Sequence, residues 1–597
     1  MRILLLTHSF NSLTQRLFVE LRQRGHLVSV EFDIADSVTE EAVALFAPDL
    51  VIAPFLKRAI PERIWSRLVC LVVHPGIVGD RGPSALDWAI VRDERSWGVT
   101  VLQANGEMDA GPVWASATFP MRAARKSSLY RNEVTVAAVQ AVLEALAAFE
   151  AGWRSANDAQ SGPGTWNPAM RQAERGIDWA RESTAAVLAK LHAADSFPGV
   201  PDALFGQPCR LFDAHAATPQ TVARAPRGQP GDIVARREHA VLRLTVDAGV
   251  WIGHAKLAVR DEWENTSLPS LKLPVAQVFH EAWAQLPDLS LPLEHDAGEW
   301  SEFRYWEDDS GAGLVGYLAF DCYNGAMSTA QCQRLCAALR YARGRQTRVL
   351  VLLGGEDFFS NGIHLHQIEA AEHRGAESAA DASWRNIQAM DDVALEILAF
   401  SDRMTVSALR GNAGAGGVFL ALAADQVWAR EGVLVNPHYK NMGNLYGSEY
   451  WTYLLPQRVG AQRASDLMDG RLPMSVRRAI EIGLIDASLD GDARSCLAEI
   501  GRRAVALARA PDYAAHIDNK RRKRAADEAA KPLAQYREEE LVHMHRNFYG
   551  FDPSYHVARY HFVYKLPHAH TPRHLAMHRG GSLPAAQELQ ALAGKRS

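Results

Sequence analysis

A histidine and an aspartate early in the chain have the types and spacing for acid–base chemistry. The run "CLVVH" is apolar enough for a buried strand, yet it ends on His74 with Pro-Gly immediately after. Asp109 lies in "VLQANGEMDAGPVW", a Gly-containing loop between two strand-like runs. A lone histidine in such a place also reads as a core residue satisfied by backbone. A carboxylate brought back by a strand–loop–strand path changes that reading. Burial raises a carboxylate's pKa and a carboxylate favours a charged imidazole, so each would tune the other. Such a pair suits general acid–base catalysis of acyl transfer.

A second kind of chemistry is legible farther on. "VLVLLGGEDFFSNGIHLHQIE" runs from a buried strand into a glycine turn, and "MTVSALRGNAGAGGVFLALAADQVWA" repeats the plan before a helix. Two such turns can each aim a backbone N–H at one point, and a helix N-terminus adds its positive end. Glycines there also allow tight packing, with no further role. "NPHYKNMGNLYGSEYWTY" then concentrates tyrosines near His438, Lys440 and Glu449. A tyrosine beside a buried glutamate can relay a proton, although aromatic clusters also build cores.

The elements that position these residues follow from periodicity. A chain of 597 residues is too long for one core, and its length implies roughly three or four domains. Residues 1–160 alternate apolar runs such as "RILLL", "LVIAP" and "CLVVH" with helical stretches, predicting a Rossmann-like, largely parallel sheet flanked by helices. "NDAQSGPGTWNP" reads as a linker. Residues 166–285 give one helix and short strands, a small β-barrel. After a second linker, residues 300–515 alternate strand and helix again, and residues 516–597 form a helical, His-rich tail with "NKRRKR" on a solvated helix face. The fold class expected is therefore α/β multidomain.

"CLVVHPGIVGDRGPSALDWAI" followed by "GVTVLQANGEMDAGPVW" resembles the 10-formyltetrahydrofolate-dependent formyltransferases. The resemblance implies His74 and Asp109 as catalytic residues, and Lys57, Ile60, Arg81 and Gly82 as folate-binding positions. It extends into "QAERGIDWARESTAAVLAKLHAADSFPGVPDALFGQPCRLFDA", similar to that family's OB-like domain. Where the family has its catalytic Asn, this chain has Val72. Loss of such an oxyanion donor costs about 10²–10³ in rate, which turns the reading toward a more nucleophilic acceptor, a thiol.

The glycine-turn pair resembles the crotonase (enoyl-CoA hydratase) family, which binds acyl-CoA thioesters. Matching its motifs, Ile363 and Gly416 would supply the oxyanion N–H groups, with Leu365 and His366 beside the coenzyme A channel. The hydratase glutamates are replaced by Phe419 and His438, so water addition is not expected. A formyltransferase half fused to a crotonase-like half is similar to the hydrogenase maturation proteins of the HypX/HoxX type. That resemblance implies formyl transfer from 10-formyltetrahydrofolate to coenzyme A, then release of CO from formyl-CoA for the iron of [NiFe]-hydrogenase, with hydrogenase-assembly proteins receiving it. Tyr439 and Glu449 are then the candidates for proton transfer, with Tyr446 in reserve. A thioester hydrolase releasing formate, or a carrier of folate and coenzyme A without turnover, are the alternatives.

Several classes are excluded. A net charge of −5 argues against nucleic-acid or membrane-surface binding by the whole molecule. "MRILLLTHSFNS" is too short an apolar run for a secretory signal, and no stretch approaches the ~18 uninterrupted apolar residues of a membrane span. Six cysteines make no disulfide framework, so a cytoplasmic location is expected. Eight histidines between 543 and 578 fit no closed ligand spacing, and no metal site is expected.

Overall fold

The computed structural model describes residues 1–153, 162–258, 271–308, 314–373, 375 and 377–580. The first few residues of the "NDAQSGPGTWNP" linker and the last residues of the tail lie outside the described residues. Two compact units emerge, one from Met1–Arg175 together with Pro567 onward, the other from Gly176–Leu566. These units cut the chain elsewhere than the composition-based boundaries. The reason lies in long-range pairing.

In the first unit, six strands lie in the order Leu27–Phe32, Arg2–Thr7, Leu50–Phe55, Cys70–His74, Ser96–Gln103 and Val113–Pro120. The first four pair in parallel and the last two join antiparallel. The Cys70–His74 strand is the hinge between the two modes, and His74 pairs with Thr100. The loop of the antiparallel hairpin carries Asp109. One helix, Lys126–Glu150, is long and apolar enough to cross a membrane. Its small face, including Ala137, Ala138, Ala141 and Ala145, is buried as that of a core helix packed on the hairpin strands.

The edge strand Leu27–Phe32 is covered by the end of the chain. Val30 N–H donates to Leu575 O at 3.0 Å and Phe32 N–H to Thr571 Oγ1 at 2.8 Å. Glu31, fully buried, accepts from His578 Nε2 at 2.9 Å, from Arg579 at 2.8 Å and from Thr571. Burial opposes its ionisation, yet these hydrogen bonds outweigh it and hold the carboxyl below its usual range. A boundary drawn at 516 from composition cannot register such a return.

In the second unit, an antiparallel sheet runs Val200–Leu204, Gln207–Ala216, Gly249–Leu257, Ala240–Leu244, Ile233–Arg237, with Leu273–Pro274 added to Gly249–Leu257. Beyond it a six-stranded sheet runs Phe303–Glu307, Val315–Phe320, Val349–Leu353, Met404–Leu409, Gln426–Arg430, Ala487–Leu489, parallel after its first pair. A four-stranded sheet holds Phe358–Ser360, Asn412–Gly414, Leu434–Asn436 and Met474–Ser475. Both glycine turns are therefore crossings from the large sheet to the small one. They pack on each other: a Cβ on Gly411 would lie 2.3 Å from the Asp357 carbonyl carbon.

Three helices follow, Tyr513–Ala530, Leu533–Tyr549 and Ser554–Tyr564. The basic run is only partly a solvated face. Lys520 is ion-paired with Asp425 at 2.5 Å and donates to Arg403 O, while Arg524 bonds Tyr453. The six cysteines are all buried and free of disulfides.

Candidate functional site

In the first unit, His74 lies between two carboxylates. Its Nε2 is 2.8 Å from Asp80 Oδ2 and its Nδ1 is 3.5 Å from Asp109 Oδ2. His74 and Asp80 are both buried, and Asn167 donates to the other Asp80 oxygen at 2.8 Å. Asp109 has a left-handed backbone, φ 52°, and its carboxylate accepts the Gly82 N–H at 3.0 Å. Gly82 itself has φ 110°, and a Cβ there would lie 2.0 Å from Asn167 O, so only glycine fits. A Cβ on Gly76 would overlap the His74 ring, so that glycine gives the imidazole its room.

His74 and Asp109 are thus brought together. Asp80 was missed, although it stands in the quoted stretch six residues after the histidine. Arg81 pairs with Glu107 at 2.9 Å at the surface. The exposed Lys57 is tied through its N–H to Asp33, and Ile60 is buried among apolar neighbours. Val72 is half-buried in the His74 strand and brings no donor.

In the second unit, Gly416 opens the helix Gly416–Leu422 after Ala415, whose φ of 49° is strained for a residue with a side chain. The Gly362 turn abuts it, since a Cβ on Gly362 would lie 3.5 Å from Gly416 N. Among the described residues no acceptor takes the Ile363 or Gly416 N–H. Unclaimed amides on two abutting turns, one at a helix start, are the kind of donors that can receive a developing oxyanion.

Glu449 lies against the Gly416 turn. Its Oε1 has no hydrogen-bond partner and faces Gly416, where a Cβ would meet it at 2.1 Å. Its Oε2 accepts the Tyr439 hydroxyl at 2.5 Å, and Tyr439 stacks on Phe419. Glu449 and Tyr450 both have positive φ, 57° and 59°. Asp391 and Glu540 hold that backbone. Asp391 Oδ1 accepts Ser448 Oγ at 2.6 Å and Glu449 N–H at 2.7 Å, while Glu540 accepts Tyr450 N–H at 2.9 Å.

Burial, then the Asp391 charge, pushes Glu449 well above the carboxylate range, against the hydrogen bond from Tyr439. Burial likewise raises Asp391 to about 6. Burial and then the Glu449 charge push the Tyr439 phenol well above its usual value. A carboxyl of high pKa with one oxygen held and the other facing Gly416 can take a proton from a bound thioester and return it.

Tyr446 stacks on His543, ring centres 4.0 Å apart. Leu365 and His366 open the helix Leu365–His373, and the His366 ring lies edge-on to Phe562. His438 is buried and Phe419 lies in the core, so neither hydratase position carries a carboxylate. Asp391 and Glu540 were missed because they arrive on helices remote in sequence.

Residues 22–146 match the formyl transferase family model and residues 321–547 match that of the enoyl-CoA hydratase/isomerase family. Methionyl-tRNA formyltransferase of Desulfotalea psychrophila is 25% identical over 227 residues, 35% of this chain and 69% of that protein. The hydrogenase maturation factor HoxX of Bradyrhizobium diazoefficiens is 54% identical over 586 residues, 97% of both chains. HypX of Aquifex aeolicus, solved in complex with tetrahydrofolic acid, superposes with a TM-score of 0.90 at 46% identity. That match covers 98% of this chain and all of the other. With both halves matched in one continuous alignment over nearly its whole length, this chain belongs to the HypX/HoxX family of hydrogenase maturation factors.

Proposed function

We propose that the protein makes CO for [NiFe]-hydrogenase assembly in two steps, with coenzyme A as the carrier. In the first, 10-formyltetrahydrofolate gives its formyl group to the coenzyme A thiol. His74 takes the thiol proton, the thiolate attacks the formyl carbon, the C–N10 bond breaks and the proton passes to N10. Asp80 holds the imidazole through Nε2 at 2.8 Å, which leaves Nδ1, on the Asp109 side, as the nitrogen that takes the proton, and the two carboxylates offset the charge while it is held. The family match and the folate-bound relative support folate as the donor.

In the second step the formyl-CoA carbonyl oxygen rests on the Ile363 and Gly416 amides. Glu449 Oε1 takes the formyl proton, the C–S bond breaks, CO leaves, and the same oxygen returns the proton to sulfur. Tyr439 keeps Oε2 occupied, so Oε1 is the working atom. Burial raises the carboxylate's basicity, which suits removal of a proton from carbon. Hydrogenase-assembly proteins of the cytoplasm are the proposed recipients, in keeping with six buried free thiols.

The observation that carries the second step is the partnerless Glu449 Oε1 facing Gly416. The test is incubation with 10-formyltetrahydrofolate and coenzyme A, with CO read by a haem reporter and formate measured in parallel. CO equal to the tetrahydrofolate formed is expected. Formate in its place would make the protein a thioester hydrolase, and tight coenzyme A binding without turnover would make it a carrier.

A further inference from the structure

A buried cluster of ionisable side chains in the second unit has no part in either proposed step. Asp213 lies within the strand Gln207–Ala216 with φ 57°, a costly conformation for a residue with a side chain. The neighbouring strand gives way to it: a Cβ on Gly253 would lie 2.3 Å from Asp213 Oδ2. Three histidines converge on this carboxylate. His215 Nε2 bonds its Oδ1 at 2.9 Å, His254 Nδ1 is 2.9 Å from Oδ2, and His239 Nε2 is 3.7 Å from Oδ2.

Asp213 and His254 are each 3% exposed, and His239 Nε2 is buried without any hydrogen-bond partner. An orphaned imidazole nitrogen aimed at a strained, buried carboxylate needs an explanation. We propose that Asp213, His239 and His254 form a binding site for a divalent transition-metal ion, with zinc the ion it fits best and water in the fourth position.

Geometry and chemistry favour this. The three donor atoms lie within 4.8 Å of one another. Zinc bonds of about 2.0–2.2 Å need donors about 3.3 Å apart, which small rotations of the two rings supply. Two imidazoles with one carboxylate select zinc or ferrous iron over magnesium or calcium, which prefer oxygen. The second imidazole nitrogen is also provided for. His239 Nδ1 is 3.7 Å from Glu302 Oε2, the carboxylate–histidine–metal relay that orients a ligand ring. Glu302 is held in turn by Gln331 at 2.5 Å and Arg334 at 2.8 Å.

Glu238, His239 and Glu302 make a second candidate set, but Arg334 already bridges both glutamates there. The ion joins the strands bearing Asp213 and His254 to the turn bearing His239, and through Glu302 to the helix Thr329–Arg343 of the crotonase-like part.

The test uses the full-length chain, stripped with EDTA and titrated with Zn²⁺ at pH 8. One ion per chain by mass spectrometry and a raised Tm are expected. His239→Gln and His254→Gln, close in shape to the parent, are each expected to bind Zn²⁺ at least tenfold more weakly and to show no rise in Tm on adding Zn²⁺, each read against its own stripped chain. Glu302→Gln is expected to weaken binding by about tenfold or more. Co²⁺ in the parent chain serves as a probe that needs no variant, and the strong visible absorption of a four-coordinate ion is expected. Weak octahedral absorption, no stoichiometric Zn²⁺, or full binding by either histidine variant would overturn the site.

Discussion

Gly416 and Glu449 share one small space: the position a methyl group would take on Gly416 is 2.1 Å from Glu449 Oε1. Gly416 starts a helix with ordinary φ, so alanine there changes volume and little else. Gly416→Ala is expected to displace the carboxyl and cut CO release by about a hundredfold, the usual consequence of an ångström's misplacement. Formyl transfer to coenzyme A, assayed separately, should keep its parent rate.

Glu449 sets a pH dependence whose sign is fixed by its surroundings. Its carboxyl titrates well above the usual range, and proton abstraction needs the ionised form. CO release should therefore rise with pH, with a midpoint above that of an ordinary glutamate. Tyr439 donates to Glu449 and stabilises its charge, so Tyr439→Phe should move the midpoint to still higher pH, while Glu449→Gln should abolish the rise. A midpoint unmoved by Tyr439→Phe would remove Tyr439 from the proposed mechanism.

Folding carries the same linkage. A carboxyl whose folded pKa lies above its unfolded 4.5 contributes stability below that value and loses it as pH climbs through the folded pKa. Glu449→Gln should flatten the fall in denaturation midpoint on raising the pH from about 5 toward 8.

His74 between Asp80 and Asp109 predicts graded losses in the other reaction. His74→Ala should lower formyl transfer by about 10²–10⁴-fold, the usual share of a general acid–base residue. Asp80→Asn, which keeps the shape and removes the charge behind Nε2, should lower kcat while leaving folate KM near its parent value. Consumption of 10-formyltetrahydrofolate measures both.

Glu31 reports on the returning end of the chain. Its folded pKa is below 4.5, so its contribution is present above that value and lost as pH falls through the folded pKa. His578→Ala leaves a buried charge with one fewer partner and should cost about 3 kcal/mol in denaturant unfolding. An unchanged midpoint would show the return to be ornamental.

Much of this was legible because the decisive contacts are local. His74 and Asp109 sit at the end of a strand and in the loop of the next hairpin, and alternation alone brings such positions together. The two glycine turns likewise announce themselves by composition, and Tyr439 and Glu449 share one loop. What escaped comes from far away. Asp391 and Glu540 support Glu449 from helices whose own periodicity reads only as amphipathic packing. His239 and Asp213 meet across strands whose pairing no local pattern dictates. Asp80 is a different case: it was in view, but nothing in its spacing separates a buried partner of His74 from a turn residue.

The pairing of residues 567–580 with Leu27–Phe32 has a consequence for biosynthesis. During translation the amino-terminal sheet is complete at Pro120 with its Leu27–Phe32 margin bare, and stays so until about 450 further residues, up to Thr571, have been made. A chain stopped before Thr571 therefore has an exposed β-edge and a Glu31 without the hydrogen-bond partners that Thr571, His578 and Arg579 supply. Only a chain made through Arg579 can seal the sheet.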